Sequence, residues 1–158
     1  MFGQGPDIGK LHDYRARDIL TYMEVTLAVL ADYANVTKEG KLNVMGLFTH
    51  MNARVLPYVH PQMLLVWEAE AGPAEWETRK DVEIKLLDEA ANQILSVRGN
   101  LEVPRGEPGR PVRINSLMGF NNVKFDAEGD YEFAILIGGE TKKNVSFRVS
   151  YIPPVAKA

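Results

Sequence analysis

The side chains best suited to acid–base or metal chemistry in this chain are three histidines, His12, His50 and His60. Their separations are too long for one helical face or one short ligand loop, the spacings that make a metal site credible. Each therefore reads as a loop or rim histidine, unless folding brings His50 or His60 against Asp32 or Glu68. The absence of cysteine removes thiol nucleophiles, thiolate metal sites and disulfides. Ser96, Ser116, Ser146 and Ser150 lie in or beside strand-like runs, and no Gly-x-Ser-x-Gly occurs, so a Ser-His-acid triad has no support. Met1–Lys10 and Pro104–Pro111 carry glycines without the helix and Gly-Lys-Ser/Thr that a phosphate loop needs. Glu68, Glu70, Asp81 and Glu83 alternate with apolar residues as the solvated face of strands do. Asp32, set among Leu30, Ala31 and Tyr33, is expected to make a structural hydrogen bond. No catalytic residue, metal ligand or cofactor is assigned, and the expectation is a protein that is not an enzyme.

Binding chemistry offers more. Tyr58, His60, Trp67 and Trp76 could line a small-molecule or carbohydrate site on a sheet face or loop end, although aromatic residues in such runs usually pack the core or its rim. Arg105, Arg110 and Arg113 flank a Pro/Gly loop, and Lys142, Lys143 and Arg148 decorate the last hairpin. Neither group interleaves with aromatics as a single-strand nucleic-acid platform does. Both read as charges that keep sheet edges apart. A formal net charge of −3 adds no general attraction to nucleic acid or anionic lipid. The first residues lack the basic and apolar regions of a secretory signal, and no apolar run reaches membrane-spanning length. A cytoplasmic protein is expected, without membrane contact.

These residues must be positioned by strands. Asp126–Tyr151 carries the strongest pattern: Tyr131, Phe133, Ile135 and Ile137 alternate with polar and smaller residues. After Gly138-Gly139, Val145, Phe147, Val149 and Tyr151 alternate in turn. Period two on both sides of Gly-Gly predicts a hairpin. Glu24–Val36 and Lys41–Phe48 flank a Thr37–Gly40 turn, with Gly46 marking a bulge or close backbone approach. A short edge strand is expected at 53–56, with Pro57 and Pro61 stopping regular pairing before a strand over Met63–Glu70. Strands over Arg79–Asp88 and Gln93–Val103, a sheet-crossing loop at Pro104–Pro111, and two pieces, Val112–Phe120 and Val123–Phe125, complete the chain.

Seven or eight short strands without long helices between them predict an all-β chain, an antiparallel immunoglobulin-like β-sandwich. The run Asp126-x-x-Gly129-Asp130-Tyr131-x-Phe133 resembles a tyrosine corner, in which the hydroxyl bonds an upstream backbone group. A composition of 46% hydrophobic and 25% charged residues fits one such domain. The expected division is residues 1–22 as an N-terminal arm, 23–152 as the sandwich and 153–158 as a tail. Within the arm, Leu11, Tyr14, Ile19 and Leu20 give Lys10–Met23 the pattern of a short amphipathic helix, too short to hold without a surface to pack on.

Leu30-Ala31-Asp32-Tyr33-Ala34, Gly40–Phe48, His60-Pro61 and Gly129–Phe133 together resemble a bacterial family of small domains of unknown function, over about residues 25–152. The resemblance implies a compact β domain and no activity, cofactor or catalytic residue. The arm lies outside it. The sequence thus points to a structural or interaction module that forms a homo-oligomer or docks on another protein, with Leu11, Tyr14, Ile19 and Leu20 contributing contacts. The alternative is a ligand-binding module built on Tyr58, His60, Trp67 and Trp76.

Overall fold

A computed structural model describes residues 22–157 and shows two packed β-sheets. Nine strands run in order: β1 (Met23–Val36), β2 (Leu42–Phe48), β3 (His50–Ala53), β4 (Tyr58–Ala71), β5 (Arg79–Leu87), β6 (Gln93–Glu102), β7 (Val112–Phe125), β8 (Gly129–Ile137) and β9 (Glu140–Tyr151). The four-stranded sheet has the order β2-β1-β4-β7, and the five-stranded sheet β3-β9-β8-β5-β6. The loop after β6 does cross between sheets. The expected all-β immunoglobulin-like sandwich is the architecture observed.

The β8–β9 hairpin lies inside the five-stranded sheet, as its alternation requires. Gly138 and Gly139 both adopt positive φ, 61° and 82°, the pair a two-residue turn needs to match strand twist. Phe133, Ile135, Phe147 and Val149 point into the sandwich and are buried. There Phe133 meets Phe120 of the opposite sheet with ring centroids 4.9 Å apart, and Phe125 meets Tyr131 edge-on at 4.9 Å. Rings that touch across the gap fasten one sheet to the other. The Tyr131 hydroxyl donates to the Ala127 carbonyl at 2.5 Å, the tyrosine corner expected from sequence. Burial pushes that hydroxyl's pKa up, so it remains a donor.

Four details differ from the sequence reading, each for a backbone reason. The register between β1 and β4 shifts between Val25 and Leu27. Strict alternation would set Val25 on one face with Leu27, Val29 and Ala31, opposite Ala28 and Leu30; the shift instead puts Val25 with Leu30 in the inner core, while Leu27, Val29 and Ala31 face outward. The expected strand at 53–56 is instead β3, His50–Ala53, and it pairs parallel to β9, the one parallel pairing among the described strands. The strand expected from Met63 begins at Tyr58 and runs through Pro61. Its ladder with β1 ends at Leu64, and its ladder with β7 skips the pair Pro61–Asn122, so the missing N–H is not needed. Opposite it, Asn122 takes φ 54°, which joins the two expected pieces of β7 into one strand. Across this break the inward set steps from Met63 to His60 and from Phe120 to Val123.

Gly46 meets the expectation of close approach. It takes φ 69°, and a Cβ there would stand 2.4 Å from the Asp32 carboxylate on β1. Asp32 itself is exposed, and the expected structural hydrogen bond is not formed among the described residues; there the residue's close relation is to Gly46.

Two stability measurements follow from this packing. Tyr131→Phe is expected to lower unfolding free energy by about 1–2 kcal/mol, since the Ala127 carbonyl loses its donor in a half-buried corner; an unchanged urea midpoint would show the corner to be dispensable. Gly46→Ala should cost about 1–2 kcal/mol from left-handed strain. Adding Asp32→Ala relieves the clash without restoring the loss, so full rescue in the double variant would assign the cost to the carboxylate instead.

Candidate functional site

The inner face of the four-stranded sheet is sealed by the sandwich, but its outer face is apolar too. Paired residues share a face, so the ladders place Val29 beside Val66 and Leu117, and Ala31 between Leu47 and Leu64. Ala31 and Val66 are fully buried by their neighbours and form a small cluster separate from the main core. Beside them Leu47 is 63% exposed, with Leu27 and Leu117 at the same surface; the β1–β2 ladder skips the pair Asp32–Gly46, so beyond it Ala34, Val44 and Leu42 continue this face while Tyr33 and Met45 turn to the other. The cause is local: the shift at Thr26 turns Leu27, Val29 and Ala31 outward, and β2 then lays Leu47 and, past Gly46, Val44 and Leu42 alongside. The resulting patch runs about 20 Å along the strands and about 15 Å across them, on the order of 300 Å². Apolar surface of this extent, edged by polar residues, is characteristic of contact sites.

One end of the face is polar. Glu24 and Glu70 are cross-strand partners, and Glu68 stands next along β4. Arg113 binds Glu70 at 3.1 Å and approaches Glu68 to 3.8 Å. The Tyr22 hydroxyl donates to the Glu70 carboxylate. Burial, and then that carboxylate, push its pKa up to about 12.

The residues expected to line a ligand site do not converge. Trp67 is only 1% exposed, inside the core. Trp76 lies beyond the other end of β4 from His60 and packs against the core and Gly106. Tyr58 and His60 do meet, with the Tyr58 hydroxyl 2.9 Å from His60 Nδ1. The His60 ring lies 5.9 Å from that of Phe48, while its Nε2 is buried without a hydrogen-bond partner among the described residues. Among the described residues His50 bonds Asn52, at the surface. Leu11, Tyr14, Ile19 and Leu20, the expected interaction residues, lie outside the described residues, as does His12. No cluster of three metal-ligating side chains occurs among the described residues. The basic residues of the last hairpin are largely engaged, Arg148 with Asp130 and Lys142 with Glu140.

The sequence shows apolar residues on both sides of β1, but not the one-residue shift that separates Val25 from Leu27, Val29 and Ala31. The apolar alternation of Leu42–Phe48 on both sides of that strand was the available clue.

Burial lowers the pKa of His60, against smaller opposing pulls from the Gln62 backbone and the Asp32 carboxylate. A depressed folded pKa means the unfolded chain takes the proton first. Stability from this group is thus full above the unfolded value of 6.5 and lost as pH falls below it. Urea midpoints are expected to fall between about pH 7 and pH 5, with a shallower fall in His60→Leu; equal slopes in both proteins would place the titration elsewhere.

No helix among the described residues is long and apolar enough to cross a membrane. No curated protein sequence matches the chain. Two solved structures are similar in shape. One is an alkylpurine DNA glycosylase, AlkC, from Pseudomonas fluorescens bound to DNA containing an abasic site analog. It is 8% identical with a TM-score of 0.48, and the match covers 82% of this chain and 30% of that one. The other is an immunoglobulin-like protein from Pseudomonas aeruginosa, 11% identical with a TM-score of 0.42, covering 82% of this chain and 98% of that one. This chain thus spans about a third of the glycosylase's length. The profile of a family of unknown function, DUF6941, matches residues 26–150, the span that holds the sandwich from the β1 shift to the end of β9, and the chain belongs to that family.

Proposed function

We propose that this protein is a non-catalytic interaction module whose docking surface is the outer face of the four-stranded sheet. The observation that carries this reading is the exposure of Leu27, Leu47 and Leu117 around the buried pair Ala31 and Val66. Each of these side chains leaves apolar area in water, at about 25 cal/mol per Å², that a partner would remove. The partner is a protein, either a second copy or a component of a cytoplasmic assembly, and the opening segment of the chain takes part in the contact. Nucleic acid is disfavoured because the face carries more carboxylates than guanidinium groups at its polar end and no cationic track.

A ligand-binding module is the weaker reading. Its support is the Tyr58–His60 pair and the buried Nε2 beside it, without the two tryptophans that a carbohydrate platform would use.

Sedimentation of the full chain over rising concentration is expected to show mass growing beyond the monomer. The variant Leu47→Glu should stay monomeric, with stability changed by no more than about 0.5 kcal/mol because the side chain is already largely in water. A wild-type chain that stays monomeric at every concentration removes self-association, and undiminished association of the variant removes this face.

A further inference from the structure

We propose that the occupant of the outer face is a second copy of this chain, stacked sheet on sheet about a two-fold axis that runs across the strands. The acidic end of each four-stranded sheet then lies against the lysine-bearing turn of the other. This pairing rests on the docking reading above.

Charge decides the direction of the axis. At one end of the face Glu24, Glu68 and Glu70 stand against one guanidinium, Arg113, a balance of −2. At the other end the turn Thr37–Lys41 between β1 and β2 carries Lys38 and Lys41 against Glu39, a balance of +1. Lys124, at that end of β7, is held by Asp126 at 3.1 Å. The paired residues between the ends are uncharged, Leu27, Val29, Ala31, Leu64, Val66 and Leu117 among them. A two-fold axis parallel to the strands brings the three carboxylates of one copy onto those of the other. An axis across the strands brings them onto Lys38 and Lys41 instead, and does so twice in one dimer.

Register fixes where that axis falls. Glu24 and Lys38 lie seven residues either side of Ala31. Ala31 pairs with Leu47 on β2 and with Leu64 on β4, and Leu64 pairs with Gly119 on β7. An axis along this row lets each of the four residues meet its own counterpart. Leu47, 63% exposed, is covered by its counterpart at one edge. At the other, Gly119 has open space where a Cβ would stand, so the sheets can approach closely there.

The whole face is large enough. β1, β4 and β7 are each fourteen residues long. With β2 they cover on the order of 700 Å² at the usual rise and strand spacing. That is close to the roughly 800 Å² each partner gives to a stable interface.

Two measurements on the full chain test the arrangement. Reversing charge at either end, Glu24→Lys or Lys38→Glu, is expected to raise the dimer's dissociation constant about five- to tenfold at low salt. An equimolar mixture of the two variants should recover wild-type affinity, because each reversed end then meets an opposite charge. A mixture no tighter than either variant overturns the pairing of the two ends. The absence of cysteine lets a nitroxide be placed at Thr37→Cys alone. Six residues from the axis in each copy, the two labels should stand about 40 Å apart by pulsed dipolar spectroscopy. A separation under about 20 Å, or association tightened by Glu24→Lys, overturns this axis in favour of one along the strands. The docking reading survives that result as long as Leu47→Glu still abolishes association. A wild-type chain that stays monomeric at every concentration overturns the second copy and leaves the face to a different protein. Association undiminished by Leu47→Glu overturns both the stacking and the docking reading.

Discussion

The two sheets are held by a seam of aromatic rings, and the rest of the molecule depends on that seam. Phe120 and Phe125 reach from β7 in the four-stranded sheet, and Tyr131, Phe133 and Phe147 from the hairpin in the five-stranded sheet. Buried rings bring large areas out of water and fix the angle at which sheets cross. The tyrosine corner sets where β8 begins, and so where Phe133 arrives. The break at Pro61 and Asn122 serves the same seam from the other side. Without the three-residue step from Phe120 to Val123, strict alternation would point Val123 and Phe125 to solvent and strip the seam of a ring.

A second irregularity, within β1, shapes the opposite surface. A strand in a two-layer sandwich normally has one wet face. Here β1 is apolar on both, and the shift at Thr26 decides which residues go in and which go out. Leu30 and Val25 complete the core, while Leu27, Val29 and Ala31 are left to make a second, thinner cluster with Val66 and Leu64. The functional reading follows from this unequal division. The chemistry-bearing side chains are dispersed, whereas the apolar ones converge.

Much of this was legible in the residues. The hairpin around Gly138-Gly139 was, because period two and two residues able to take positive φ leave few other conformations. So was the close approach at Gly46. The parallel pairing of β3 with β9 was not, since four residues carry too little pattern to name a partner so far along the chain. Nor was the start of β4: Pro57 and Pro61 argue against a ladder unless it is known that β1 has already parted from β4 at Leu64. The exposure of Met45 and Leu47 was hidden for the same reason, because alternation marks a face without saying whether another layer covers it.

By itself the sequence determined the class of structure, the positions of its turns and the residues of its hairpin, because these rest on contacts between near neighbours. It also determined what chemistry is missing, since no cysteine and no motif-bearing serine or glycine run stands in it. Tertiary structure alone decided which apolar residues stay in water, which aromatics meet and that the tryptophans are apart. Those outcomes depend on register between distant strands, and a single extra residue at Thr26, or a skipped pair at Pro61, turns a side chain from one face to the other.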